Sequence, residues 1–361
     1  MSYTQIKFSS QNKPDFIIEL RKKVKDYFET NKLSKYGNPG IVAKSVLMTL
    51  VYFTPYVLMV AGVIQTLPMI LLSFIMMGLG MAGLGMVLMH DSNHGTFSKN
   101  PRINRFLSNS LYFLGGFPPT WQYQHNTLHH GYTNIHGHDG DINPAGILRF
   151  SPHNPLKKIH KYQHLYAWFL YGLMTISWIT TKDFKQYFSY KKSGAVLSGT
   201  KSNTQMILEL VISKVLYYAI FLVIPLIVLP IAWYWILLFF FIMHFATGLM
   251  LSSIFQTAHV MPTSQYPLPD EDGNIENNWA VHQLLTTSNY APESRIFSWL
   301  IGGLNYQVEH HLFPNISHVH YRNIAHIVKG TALEHGLPYY VQPSFLHAVK
   351  SHASMLKSLG R

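Results

Sequence analysis

Cysteine is missing from all 361 residues. That absence excludes a disulfide scaffold, a thiolate metal site and a cysteine nucleophile, and it leaves the redox compartment open. Charge is scarce as well. Asp, Glu, Lys and Arg together make up only 12% of the chain, about half the usual share. Acidic residues number 16 against 28 Lys and Arg. With 48% apolar and 14% aromatic residues, the composition rules out a disordered chain, a coiled coil and a nucleic-acid-binding array. No nucleic-acid partner is expected, because the positive excess has a membrane explanation first. Met1 to Ser10 contains no apolar core, so no cleavable signal peptide is expected. HExxH, Walker A and GxSxG signatures are absent. So is the Glu-x-x-His pair of soluble di-iron bundles. Gly78-Leu-Gly80-Met-Ala-Gly83 matches GxGxxG, but it lies inside an apolar run with no strand before it. Small residues that let membrane helices approach closely are the better account.

What is present is organised by where charge stops. No Asp, Glu, Lys or Arg occurs from Ser45 to His90, or from Val215 to Pro269. One transmembrane helix needs about 20 apolar residues, so each run accommodates two spans and a tight turn. The pattern predicts spans at 43–64, 67–89, 206–229 and 231–256, with turns near Gln65–Pro68 and between Pro225 and Pro230. Lys44 and Glu209 stand near span ends, where long side chains reach the interface. Lys214 fits its predicted span less well. Residues 1–40 carry eight Lys and Arg, 99–205 carry twelve, the tail after the fourth span carries six, and the hairpin tips carry none. The positive-inside rule therefore puts both termini and the middle segment in the cytosol. Two shorter apolar stretches, 103–117 and 165–180, suit the membrane interface or packing against a cytosolic cap.

Histidine is the anomaly: there are 21. They cluster as His90-Asp-Ser-Asn-His94 at the end of the second span, His125-Asn-Thr-Leu-His129-His130 in the middle segment, and Gln307-Val-Glu-His310-His311 after the fourth span, with His259 just past that span. Residues four apart share a helix face, so His90 with His94, and His125 with His129, can each hold one ion, while His130 points about 100° away toward a second. Neutral imidazole suits iron, zinc, copper or nickel. Glu309 is placed to orient an imidazole, and Asp91, Asp139 and Asp141 could do likewise. His244 reads equally as a satisfied core histidine, and His282 is ambiguous. The remaining histidines are expected at the surface or in supporting positions.

In its three segments His90–Gly95, His125–Asn134 and Asn305–Pro314 the chain resembles the membrane-bound fatty acid desaturases. The resemblance implies an all-α integral membrane protein, with four transmembrane helices in two hairpins and a helical cytosolic cap holding a di-iron site. It implies a membrane desaturase domain over 41–320 between cytosolic segments 1–40 and 321–361. It carries His90, His94, His125, His129, His130, His259, His310 and His311 across as metal ligands. It further implies two iron ions, O2 as co-substrate, a fatty acyl chain on CoA or a membrane lipid, and electrons from an external carrier. Two departures matter. Box three starts with Gln307 rather than histidine, which resembles the front-end subgroup and leaves its ligand role open. The His-Pro-Gly-Gly box of a fused cytochrome b5 domain does not occur, so a separate ferredoxin or cytochrome b5 is the expected donor. A hydroxylase or ketolase with the same boxes, or a metal-transport protein, stays open at this point.

Overall fold

The computed structural model describes residues 6–9, 13–144, 146–197 and 199–361. Most of the polar start, Met1–Gln5 and Ser10, lies outside the described residues. The described residues are largely helical, with two short parallel strand pairs among them: Lys7–Phe8 beside Asn274–Ile275, and Asn289–Tyr290 beside Val341–Gln342. It divides into two compact units, each discontinuous in sequence. One comprises Asn38–Tyr123 and Trp168–Ser252; the other comprises Met1–Gly37, Gln124–Ala167 and Ser253–Arg361.

Among the described residues, four helices are long and apolar enough to cross a membrane: Pro39–Val60, Leu67–Asn93, Asn203–Val228 and Trp233–His259. They confirm the two predicted hairpins and shift their limits for identifiable reasons. The first span begins earlier because Pro39 occupies the first turn and the Asn38 side chain accepts the Ile41 N–H at 3.1 Å. It closes at Val60, where Gly62 turns with φ +73°. The third begins at Asn203, where Ser202 and Gln205 form a reciprocal capping box. Pro225 does not end that helix. A π-helical segment, Ala219–Val223, precedes it, and Tyr56 Oη donates to the Ile220 carbonyl at 2.8 Å. Local π geometry and a neighbouring hydroxyl together absorb the break. The second span continues through another π segment, Gly85–Met89, so that His90 continues the same helical run. His259 is the last residue of the fourth helix rather than a residue beyond it.

Within the membrane unit the second span is the central one, and the third is largely peripheral. Met77, Met81, Tyr52, Tyr217, Phe221 and Met243 belong to one buried cluster. The glycines of the GxGxxG lookalike sit at helix contacts. A Cβ on Gly80 would lie 2.5 Å from the Tyr52 nitrogen, and one on Gly78 would lie 2.8 Å from the Met243 carbonyl oxygen. Val46, Leu50, Leu72, Val215, Ile227 and Leu238 face outward instead. A water-exposed surface does not carry such a belt, but a lipid-exposed one does. The stretches around 103–117 and 165–180 form short helices. Leu111, Leu114, Trp178 and Ile179 join the core of the membrane unit, while Phe106, Leu165 and Phe169 stay exposed.

Lys214, which fitted poorly as a span residue, proves to be a fixed anchor. Its buried ammonium reaches Asp183 Oδ2 at 2.5 Å, Gly115 O at 2.5 Å and Trp178 O at 3.0 Å, which accounts for all three donors. Asp183 also accepts Thr120 Oγ1 at 2.9 Å and Trp178 Nε1 at 3.0 Å. His244 resolves as a satisfied core residue, between Tyr217 Oη at 3.0 Å and Thr175 Oγ1 at 3.2 Å.

The other unit is built around Phe16, Leu20, Val24, Leu284, Val308, Leu312, Ile324 and Val328. Helix Pro14–Thr30 supplies the first three, and helix Tyr321–Glu334 packs along it. The final helix, Phe345–Leu359, is tied down by Arg149 Nη1 on Leu359 O, Gln163 Nε2 on Leu356 O (both 2.7 Å), and His352 Nδ1 on Val260 O at 2.8 Å.

Removing one partner of a buried ion pair strands the other charge, at roughly 3–5 kcal/mol. Lys214→Met is expected to lower stability by that amount in detergent thermal unfolding, while Lys214→Arg retains most of it. An unchanged melting temperature for the methionine variant would show that the network is dispensable.

Candidate metal centre

Box two does not fold as a regular α-helix. Tyr123–His129 is π-helical, and His130–Tyr132 continues as α-helix. A π turn bonds each residue to the one five places on, so His125 and His130 come into line. Their Nε2 atoms lie 3.3 Å apart. This overturns the expectation that His130 points away from the ion held by His125. The His125 and His129 rings remain neighbours, stacked with centroids 5.5 Å apart.

The helix ends at Tyr132, and Asn134 just beyond it is held in the left-handed region at φ +59°. Its backbone N–H bonds Asp139 Oδ2 at 2.9 Å, and its amide nitrogen bonds the His259 carbonyl at 3.0 Å. The end of box two and the end of the fourth span are thereby stapled together.

Three buried nitrogens, one each from His129, His259 and His311, lie within 4.8 Å of one another. Two imidazoles on one ion, with bonds of about 2.1 Å, stand at most roughly 4.2 Å apart. A small contraction therefore suffices. The 3.3 Å His125–His130 pair already has the separation of two adjacent ligands. His310 is close by, its ring centroid 4.5 Å from that of His130 and 5.5 Å from that of His311. The donor set is nitrogenous and buried, which suits a transition metal.

The outer edges of these rings are held. His129 Nδ1 lies 3.2 Å from Asp139 Oδ2 and 3.5 Å from Asp141 Oδ2. Burial opposes charge on this imidazole, yet the two carboxylates outweigh it and hold its pKa above the ordinary value. His310 Nδ1 meets Tyr321 Oη at 3.0 Å. His311 Nδ1 meets Gln283 Oε1 at 2.8 Å. In each case the Nδ1 side is engaged, so Nε2 is the side a metal would take.

Gln283 is the residue that sequence reasoning missed. Its Nε2 donates to the His130 carbonyl at 3.2 Å, and its Oε1 accepts Thr133 Oγ1 at 2.9 Å as well as His311. A carbonyl can only accept, so His130 fixes which end of the amide faces which partner. One fully buried side chain thus links box two to box three. Gln283 follows His282, and no spacing rule ties it to either box. His282 stands behind the cluster, its Nε2 2.7 Å from the Thr133 carbonyl, and burial holds its pKa down to about 4.

Glu309 is a correction. It does not orient His310. Its oxygens accept Asn289 Nδ2 and Tyr339 Oη, both at 2.7 Å, while Asn289 Oδ1 takes the Val308 N–H. Burial pushes its carboxyl up to about 7. It braces the helix of box three rather than a ring. Gln307 is buried beside His259, with Nε2 donating to Leu304 O at 2.7 Å, so its oxygen is the atom left for the cluster. Six of the eight expected histidines and Gln307 are therefore brought together in one unit. In the other unit His90 and His94 pair with each other, ring centroids 4.7 Å apart, each edge-on to Trp121.

A family profile described as fatty acid desaturase matches residues 65–343. The chain belongs to that family. It is a fatty acyl desaturase, an oxidoreductase carried by a multi-pass membrane protein, and its buried imidazole cluster is consistent with the metal site. Among curated relatives, a Synechocystis protein named sn-1 linoleoyl-lipid 6-desaturase is 33% identical over 99% of this chain and 98% of its own length. A Physcomitrium patens acyl-lipid (8-3)-desaturase is 32% identical over 98% of this chain and 74% of its own length. A Dictyostelium discoideum protein named probable Delta(5) fatty acid desaturase C is 33% identical over 96% of this chain and 76% of its own length.

Outer partners of ligating histidines are typically worth about 10–100-fold in metal affinity. Gln283→Leu should lower affinity by that factor in chelator competition on folded protein. Affinity unchanged against wild type would remove Gln283 from the metal's support.

Proposed function

We propose that this desaturase is of the front-end type and acts on acyl chains esterified in membrane lipids. The double bond it makes lies between an existing one and the carboxyl end. Gln307 in place of the first histidine of box three supports that reading. So do the names of the relatives, which describe linoleoyl-lipid and acyl-lipid desaturases. The observation that carries it is the all-nitrogen cluster in a buried site. An unactivated methylene offers no acid–base handle, so a redox metal must supply the hard step.

The proposed ligands are His125, His129, His130, His259, His310 and His311, with His90 and His94 included on the resemblance and Gln307 as an oxygen donor or a hydrogen-bond partner. When bound, two irons would supply oxidising power drawn from O2. The protein's own part is to hold the imidazoles in place, through the acceptors Asp139 and Gln283 and the Tyr321 hydroxyl, and to keep the site dry. Residues 41–320 form the membrane desaturase domain, flanked by cytosolic segments 1–40 and 321–361. Cytosolic termini and a cytosolic site rest on the distribution of Lys and Arg. Reducing equivalents come from a separate ferredoxin or cytochrome b5.

Expression in a host poor in desaturases is expected to yield lipids with a new double bond on the carboxyl side of an existing one and no retained oxygen, located by mass spectrometry. Protein purified from iron-replete medium should carry about two irons per chain. Hydroxylated product, or a zinc-only preparation, would overturn the reading. Gln307→His should change turnover or the position of the new double bond, and an unchanged product profile would show that the glutamine carries no such information.

A further inference from the structure

Helix Pro14–Thr30 and the chain just after box three enclose an open depression of about 610 Å³. Its rim carries Arg21, Lys25 and Lys35, and its floor is made by Phe28, Trp279 and Phe313. One acid, Glu29, lines it, and it is already engaged with Lys25 at 3.5 Å. The depression is therefore cationic with an aromatic floor. Its floor also connects inward. Trp279 Nε1 donates to the His130 carbonyl at 3.0 Å, and Leu312, another lining residue, directly follows His311 in sequence. A partly exposed indole thus reaches from the surface to the backbone of a proposed ligand.

Desaturation makes this connection useful. Two hydrogens leave adjacent methylenes, and O2 becomes two waters. The substrate supplies two electrons with its two hydrogens, so two further electrons and two protons must come from outside. Water supplies the protons. The electrons need a reductant and a place for it to bind.

We propose that this depression is the docking site of an acidic one-electron carrier protein, with Trp279 as the bridge from the carrier to His130. Two successive dockings deliver the two electrons, and the carrier leaves oxidised each time. The proposal rests on the desaturase reading above. Complementary charge at such a rim governs encounter rate and salt dependence more than the chemistry that follows.

The test uses the full chain in lipid nanodiscs, driven either by a plant-type [2Fe–2S] ferredoxin with its reductase or by dithionite with a small mediator. Arg21→Glu/Lys25→Glu/Lys35→Glu should raise the KM for ferredoxin at least about tenfold and abolish its salt dependence. Dithionite-driven turnover should stay within about twofold of wild type. Trp279→Phe, which keeps the aromatic floor but loses the Nε1–H bond, should lower the ferredoxin-driven kcat and leave the KM unchanged. An unchanged ferredoxin KM in the charge-reversed variant overturns the proposal. So does a loss of binding to phosphatidylglycerol vesicles, but not phosphatidylcholine vesicles, that tracks the loss of activity; the depression is then a headgroup site. No desaturation by the wild type with either reductant would instead remove the desaturase reading beneath it.

Discussion

Imidazole is a poor guest in a dry interior unless both ring nitrogens have something to do. This structure gathers six of them in one buried patch, and what makes that tolerable is the treatment of their outer edges. Asp139 takes the Nδ1 side of His129, Gln283 that of His311, and Tyr321 that of His310. These contacts do two jobs. They compensate burial of a polar ring, and the two pure acceptors, Asp139 and Gln283, choose the tautomer that leaves the inward nitrogen ready to accept an ion. The bracing repeats one layer out, where Glu309 holds Asn289 and Tyr339, and Asn289 holds the start of box three.

The membrane unit obeys the same rule in a harsher solvent. Lipid offers no hydrogen bonds, so every polar group among the spans must find its partner in the protein. Lys214 and Asp183 do so with each other and with two backbone carbonyls. Tyr56 covers a carbonyl in the turn disturbed ahead of Pro225. His244 sits between a tyrosine and a threonine. Each lets a polar or irregular feature persist where hydrocarbon would otherwise forbid it.

Much of this was legible in the sequence. Two charge-free runs specify four spans because no other placement hides so many apolar residues. Three histidine groups on separate stretches specify a metal site because their types and spacing admit few other uses. What escaped was local geometry. Periodicity arguments assume 3.6 residues per turn, so the π segment in box two reversed the relation of His125 to His130. Glu309 adjoins His310 in sequence, and that adjacency suggested a contact its side chain does not make. Gln283 and Tyr321 are uncharged, lie outside the boxes and carry no spacing signal, so only coordinates connect them to the rings. Lys214 looked like a misplaced boundary because its partner, Asp183, is 31 positions away in the chain.

The widened turn in box two bears on how the segment can vary over time. A π turn holds one more residue than an α turn, and here that extra residue decides which histidines coincide. An exposed side chain between His125 and His130, such as Thr127, can be exchanged without moving the rings. Loss of a single residue there would restore ordinary helical winding, a gain would widen the turn further, and either would swing the last two imidazoles around the axis. The box should therefore accept drift at its exposed positions while its length stays frozen, and insertions should accumulate elsewhere.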